Sequence, residues 1–152
     1  MYLDFLYIPL DYFSVLNKKE IRFEVHIPLA IGIASLCYSS CANQNSQYIF
    51  IQGVMQFIET LLGFTLAALT LLLSNDHMEE KTKNFVTKRK KRNKPISMYE
   101  LLILQFSHLI VVEALLCIAY YVADLFQIFP NQIVVMIANT LFIFVVFHIM
   151  LA

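Results

Sequence analysis

The chain has 152 residues, of which 59% are hydrophobic and 14% charged, and its formal net charge is zero. That is too little charge to cover the surface of a water-soluble domain of this size, and three cysteines do not make a disulfide framework. The zero sum conceals a strongly uneven distribution of charge along the chain.

Met1 to Leu16 is apolar, holds no Lys or Arg, and is followed by no small-residue cleavage site. Targeting is therefore expected to rest on the first membrane span and not on a cleaved signal. Asp4 and Asp11 are seven apart and share a helix face. The pattern predicts an amphipathic segment over 1–16 that lies in the membrane interface and breaks at Pro9. The polar cluster Asn17, Lys18, Lys19 and Glu20 argues against its being an extension of the first span.

A spanning helix needs about 20 mostly apolar residues. Segments at about 23–41, 48–73, 98–125 and 133–152 meet or approach this. They predict an all-α, four-helix transmembrane domain over 17–152, with a basic loop at 74–97. Pro95 and the pair Ser97 and Glu100 mark the start of the third span as a capping box. Every Lys and Arg falls before the first span (Lys18, Lys19, Arg22) or between the second and third. Basic residues resist translocation, so both termini are expected in the cytoplasm. Pro130 and Asn131 form the expected external turn.

An ionisable group in the hydrocarbon needs a partner or a purpose. Span two contains Glu59, span three contains His108 and Glu113, and span four contains Asn139. Measured from each span's midpoint, Glu59, Glu113, Asn139 and Ser35 fall in one layer. Glu24, His26, Asp124 and His148 sit near span ends and are read as reaching the headgroups. Two carboxyls in one layer would share a proton and make any activity pH-dependent. In span two, Gln52, Gln56, Glu59, Thr60, Gly63, Ala67, Thr70 and Ser74 recur at spacings of three and four and form one polar or small stripe. Such a stripe lines a water-filled path or lets helices pack closely. Both hold if several copies surround an axis. Span three carries a sparser stripe of Glu113, Cys117, Tyr120 and Asp124, read as interhelical hydrogen bonding or as part of a cation relay.

The loop between spans two and three holds eight cations, Lys81, Lys83, Lys88, Arg89, Lys90, Lys91, Arg92 and Lys94. They set topology and contact anionic lipid, or they dock an acidic cytoplasmic protein. Aromatic residues other than Phe85 do not interleave with them, so direct nucleic acid contact is not indicated. The loop is too short for a folded domain.

The chain shows no phosphate-binding glycine loop, zinc spacing or nucleophile elbow, which predicts a protein that is not an enzyme and uses no cofactor or metal. Cys37 and Cys41 are similar to one external pair of the four-span thiol oxidoreductases, but a second pair is missing. Small multidrug exporters have their buried Glu in the first helix and lack the long basic loop.

The segment Glu59-Thr60-Leu61-Leu62-Gly63-Phe64-Thr65-Leu66-Ala67-Ala68-Leu69-Thr70 resembles the Gly-Phe then Ala-Ala core of small bacterial four-span membrane effectors of anti-phage defence, such as the Kiwa membrane subunit and the channel part of the Hailong effector. The resemblance covers these twelve residues and the four-span layout. It implies a homo-oligomer, a tetramer for example, with channel-like or membrane-sensing activity. No extramembrane ligand-binding domain of the Hailong kind is found, so a cytoplasmic partner at the basic loop is implied instead. The intramembrane residues expected to matter are Gln56, Glu59, Thr60, Gly63, Ala67, Thr70, Glu113 and Asn139. The alternatives are a non-conducting scaffold that recruits a soluble partner and a small proton-coupled transporter.

Overall fold

The computed structural model describes residues 7–39, 44–74, 80, 82, 85–91, 94–126 and 132–151. The chain is dominated by helix, as its composition requires. Helix α1 spans Tyr7–Val15 and runs through Pro9 without a break. Proline is tolerated there because first-turn amides have no intrahelical acceptor to lose. Leu16 and Asn17 separate α1 from α2 (Lys18–Ile21), so α1 is not an extension of the next helix. A π-helical turn, Arg22–His26, continues α2 directly into α3 (Ile27–Ser39). Helix α4 covers Gln44–Ser74, α5 covers Met98–Leu125 and α6 covers Gln132–Leu151.

Among the described residues, three helical stretches are long and apolar enough to cross a membrane: Ser46–Ser74, Met98–Leu125 and Ile133–Leu151. The expected third span matches α5 end to end, and its capping box is present. Glu100 N donates to Ser97 Oγ at 3.2 Å, and Ser97 N donates to Glu100 Oε2 at 2.9 Å. The uninterrupted α-helix of the first expected span, α3, is 13 residues long.

Between α4 and α5 the basic loop forms an antiparallel hairpin, β1 (Val86–Lys91) with β2 (Lys94–Ser97), a structure the loop's length did not suggest. Val86 faces Ser97 and Lys91 faces Lys94, with an irregularity between Val86 and Lys90. Pro95 is accommodated because a two-stranded sheet has only edge strands. A lone hairpin is marginal in water. This one is anchored by Ile96, which is buried in a cluster with Tyr12, Val15, Leu16, Leu101 and Leu104.

Helix α3 packs on α6, α6 on α4, and α4 on α5, while α1 lies along the first half of α5. The larger core joins Ile51, Met55 and Ile58 of α4 to Leu109 and Leu116 of α5 and to Val135, Phe142 and Val145 of α6. The close approach of α3 to α6 depends on Gly32, where a Cβ would lie 3.2 Å from Thr140 O.

Candidate functional site

Two regions hold polar groups within apolar helices. The first is the outward side of α4. Gln52, Gln56, Glu59, Thr60, Gly63, Ala67 and Thr70 are all exposed, and a Cβ at Gly63 would meet nothing within 4 Å. The residues expected to form a stripe therefore do share a face, and that face points away from the chain's own core. Thr60 Oγ1 donates to Gln56 O and Thr70 Oγ1 to Leu66 O, each at 2.8 Å, so these hydroxyls are satisfied by their own helix. Tyr121 of α5 donates its hydroxyl to Glu59 Oε1.

The buried polar residues of α5 and α6 lie elsewhere. Glu113 is fully buried, accepts Thr65 Oγ1 at 2.7 Å, and leaves Oε1 with no partner among the described residues. Asn139 is also buried; its Nδ2 donates to Gln47 Oε1 at 3.4 Å, and its Oδ1 has no partner among the described residues. The single polar layer expected from span midpoints does not form. Reckoned along α4, Thr65 is about 9 Å beyond Glu59 and Gln47 about 18 Å before it, at 1.5 Å per residue. Glu59 and Glu113 are thus not a carboxyl pair, and each has a hydroxyl donor of its own. Midpoints mislead here because α4 is 31 residues long, about 46 Å, so its partners pack at staggered heights. Asp124, expected to reach the headgroups, accepts Tyr48 Oη at 3.2 Å.

The second region sits where α1 meets α5 and α6, at the hairpin end, and was not foreseen as a site. Glu24 and His148, expected to reach the headgroups, are buried here together with His108 and Tyr12. Pro28 has no N–H, so the Glu24 carbonyl lacks the donor an α-helix would supply. His148 fills the gap, with Nδ1 at 2.7 Å from Glu24 O. A carbonyl only accepts, so Nδ1 of His148 carries the proton. With one proton per ring, His148 Nε2 then accepts from His108 Nε2 at 3.0 Å. His108 Nδ1 remains as a buried atom without a partner among the described residues.

Helix α1 closes this pair with two aromatic rings. Tyr12 stacks on His108 with centroids 4.1 Å apart, and Phe13 meets His108 edge-on at 5.3 Å and lies over His148 at 5.8 Å. The Tyr12 hydroxyl donates to Glu24 Oε2 at 2.7 Å. Burial, and then that bond to Glu24, push the hydroxyl well above the ordinary tyrosine range, so it stays a donor. The sequence signals were Pro28 four residues after Glu24 and an aromatic pair, Tyr12 and Phe13, in a segment otherwise read as interfacial.

Of the basic residues, Lys88, Lys90 and Lys94 are exposed, whereas Arg89 is half-buried and pairs with Glu20 at 2.6 Å. Glu20 also accepts Asn17 N at 2.8 Å, closing the start of α2. The main chain of Lys91 lies in β1, and Lys81, Lys83 and Arg92 lie outside the described residues, as do Pro130 and Asn131.

No family model, curated protein or solved structure matches this chain.

Proposed function

We propose that this chain is a homo-oligomeric, multi-pass protein of the bacterial inner membrane. It acts without catalysis as a channel-like or membrane-sensing subunit of an anti-phage defence system and works with a cytoplasmic partner. In this reading the helical run from Lys18 to Ser39 makes a fourth crossing, and both termini and the hairpin are cytoplasmic. The observation that carries the proposal is the outward polar face of α4. Side-chain amides and a carboxyl facing lipid cost several kcal/mol, and the same face on a second copy offers both donors and acceptors. Open space at Gly63 and the small side chain of Ala67 permit close approach of backbones. Several copies around an axis would turn Gln56, Glu59, Thr60 and Thr70 toward one another, and with them a water-filled path.

Flux assays in reconstituted vesicles test this directly. Glu59→Gln and Gly63→Leu are expected to reduce flux, and unchanged flux in both removes the pore-lining role.

A second reading, a non-conducting scaffold, draws support from the exposed lysines of the hairpin. Neutralising Lys88, Lys90 and Lys94 should then release a bound acidic protein while insertion persists. Co-purification that survives the change contradicts it. A proton-coupled transporter built on Glu59 and Glu113 has less support, because the two carboxyls bond separately.

A further inference from the structure

We infer that α1 is a strap that closes the cytoplasmic end of the helix assembly over the His108–His148 pair, and that the basic hairpin holds it closed through Arg89. The inference concerns a different part of the molecule from the α4 face. It takes from the proposed function that the hairpin lies on the cytoplasmic side and that something acidic engages it.

The closed position is specific. Two successive aromatic residues, Tyr12 and Phe13, cover both imidazoles, and the Tyr12 hydroxyl reaches Glu24, twelve residues on. Closure nevertheless carries a built-in cost. With His108 Nε2 donating across the imidazole pair, His108 Nδ1 is left buried and unbonded among the described residues. An unmet polar atom of this kind is destabilising, and water restores its hydrogen bond once α1 lifts. The closed state is therefore poised, and any loss among its remaining attachments shifts the balance toward opening.

One such attachment runs outside the membrane. Only Leu16 and Asn17 join α1 to α2, and Asn17 is the N-cap of α2. The cap is closed by the Glu20 carboxylate, whose other oxygen is held by Arg89 of β1. An acidic ligand on the hairpin competes with Glu20 for Arg89. Its arrival would free Glu20, loosen the α1–α2 corner and favour release of the strap. Engagement at the hairpin is thereby coupled to exposure of a buried imidazole pair and of the apolar slot around Ile96, Leu101 and Leu104.

The test is cysteine accessibility in the full chain with Cys37 and Cys41 replaced by Ser and Cys117 by Ala. Val15→Cys reports the buried side of α1, and Leu10→Cys its exposed side. A bulky, membrane-impermeant maleimide is expected to label Val15→Cys far more slowly than Leu10→Cys. Adding Arg89→Gln should speed labelling at position 15 about fivefold, as expected for an ion pair worth up to about 1 kcal/mol. Adding Tyr12→Phe, which keeps the stack and removes the bond to Glu24, should speed it about tenfold, the scale of a hydrogen bond to a carboxylate. Labelling at position 10 should stay constant throughout and controls for general unfolding. Equal rates at positions 10 and 15 in the otherwise unaltered chain would overturn the strap. A rate at position 15 indifferent to Arg89→Gln would overturn its control by the hairpin.

Discussion

The hairpin end of the molecule and the outward face of α4 both place polar groups on otherwise apolar helices, and they treat them in opposite ways. At the hairpin end, Glu24, His108 and His148 are buried and joined to one another or to Tyr12 through side-chain and backbone bonds. On α4, the Gln56 and Glu59 side chains face outward and a Cβ at Gly63 would meet nothing. The first arrangement is closed within one protomer. The second is open, and in a bilayer an open polar face needs another polar surface against it. The same residue types thus serve internal cohesion in one place and, in the function we propose, association in the other.

The two glycines Gly32 and Gly63 sharpen the contrast most. Gly32→Leu should destabilise the protomer by about 3 kcal/mol, because its side chain meets the Thr140 carbonyl across a close helix contact. Gly63→Leu should leave the protomer's thermal stability in detergent unchanged or raised, since glycine is a poor helix former and the space is open. A Gly63→Leu protomer that melts as early as Gly32→Leu would break the comparison.

His148→Phe comes next. It removes the donor to Glu24 O and the acceptor for His108, and should cost about 2 kcal/mol through the groups left unpaired. An unchanged denaturation midpoint would mean that the imidazole pair is not part of the closed structure. Glu113→Gln keeps an acceptor for Thr65 and should change stability by less than about 1 kcal/mol. Arg89→Gln should also stay within about 1 kcal/mol globally, because both partners of that ion pair are partly solvated. A larger global loss from Arg89→Gln would show that the hairpin supports the whole helix assembly and not its corner alone.

Helix positions were legible in the sequence because apolar length and the lack of charge set them. The helix expected over about 98–125, with Ser97 and Glu100 at its start, is Met98–Leu125. The stripe on α4 was legible from spacing alone, but the direction it faces was not. Periodicity identifies a face, and only packing decides whether that face meets a neighbour. The expected polar layer did not form because midpoint arithmetic assumes helices of equal length in register, and α4 is longer than its partners. The hairpin was missed because six cations between Val86 and Ser97 suppress the usual strand signal, while Thr87 and Ile96 supply a cross-strand bond at 2.7 Å and an anchor. Glu24 and His148 were misplaced because proximity to a span end suggests solvent. Here α1 folds back and covers that end.

The central claim is that the outward polar face of α4 is covered by further copies of the same chain. The most direct test is the native mass of the purified protein in mild detergent, measured for the unaltered chain and for Gly63→Leu. A multiple of the 17.6 kDa protomer that falls toward the single protomer in Gly63→Leu is the result expected. A single-protomer mass for the unaltered chain, with α4 still exposed, would contradict the claim.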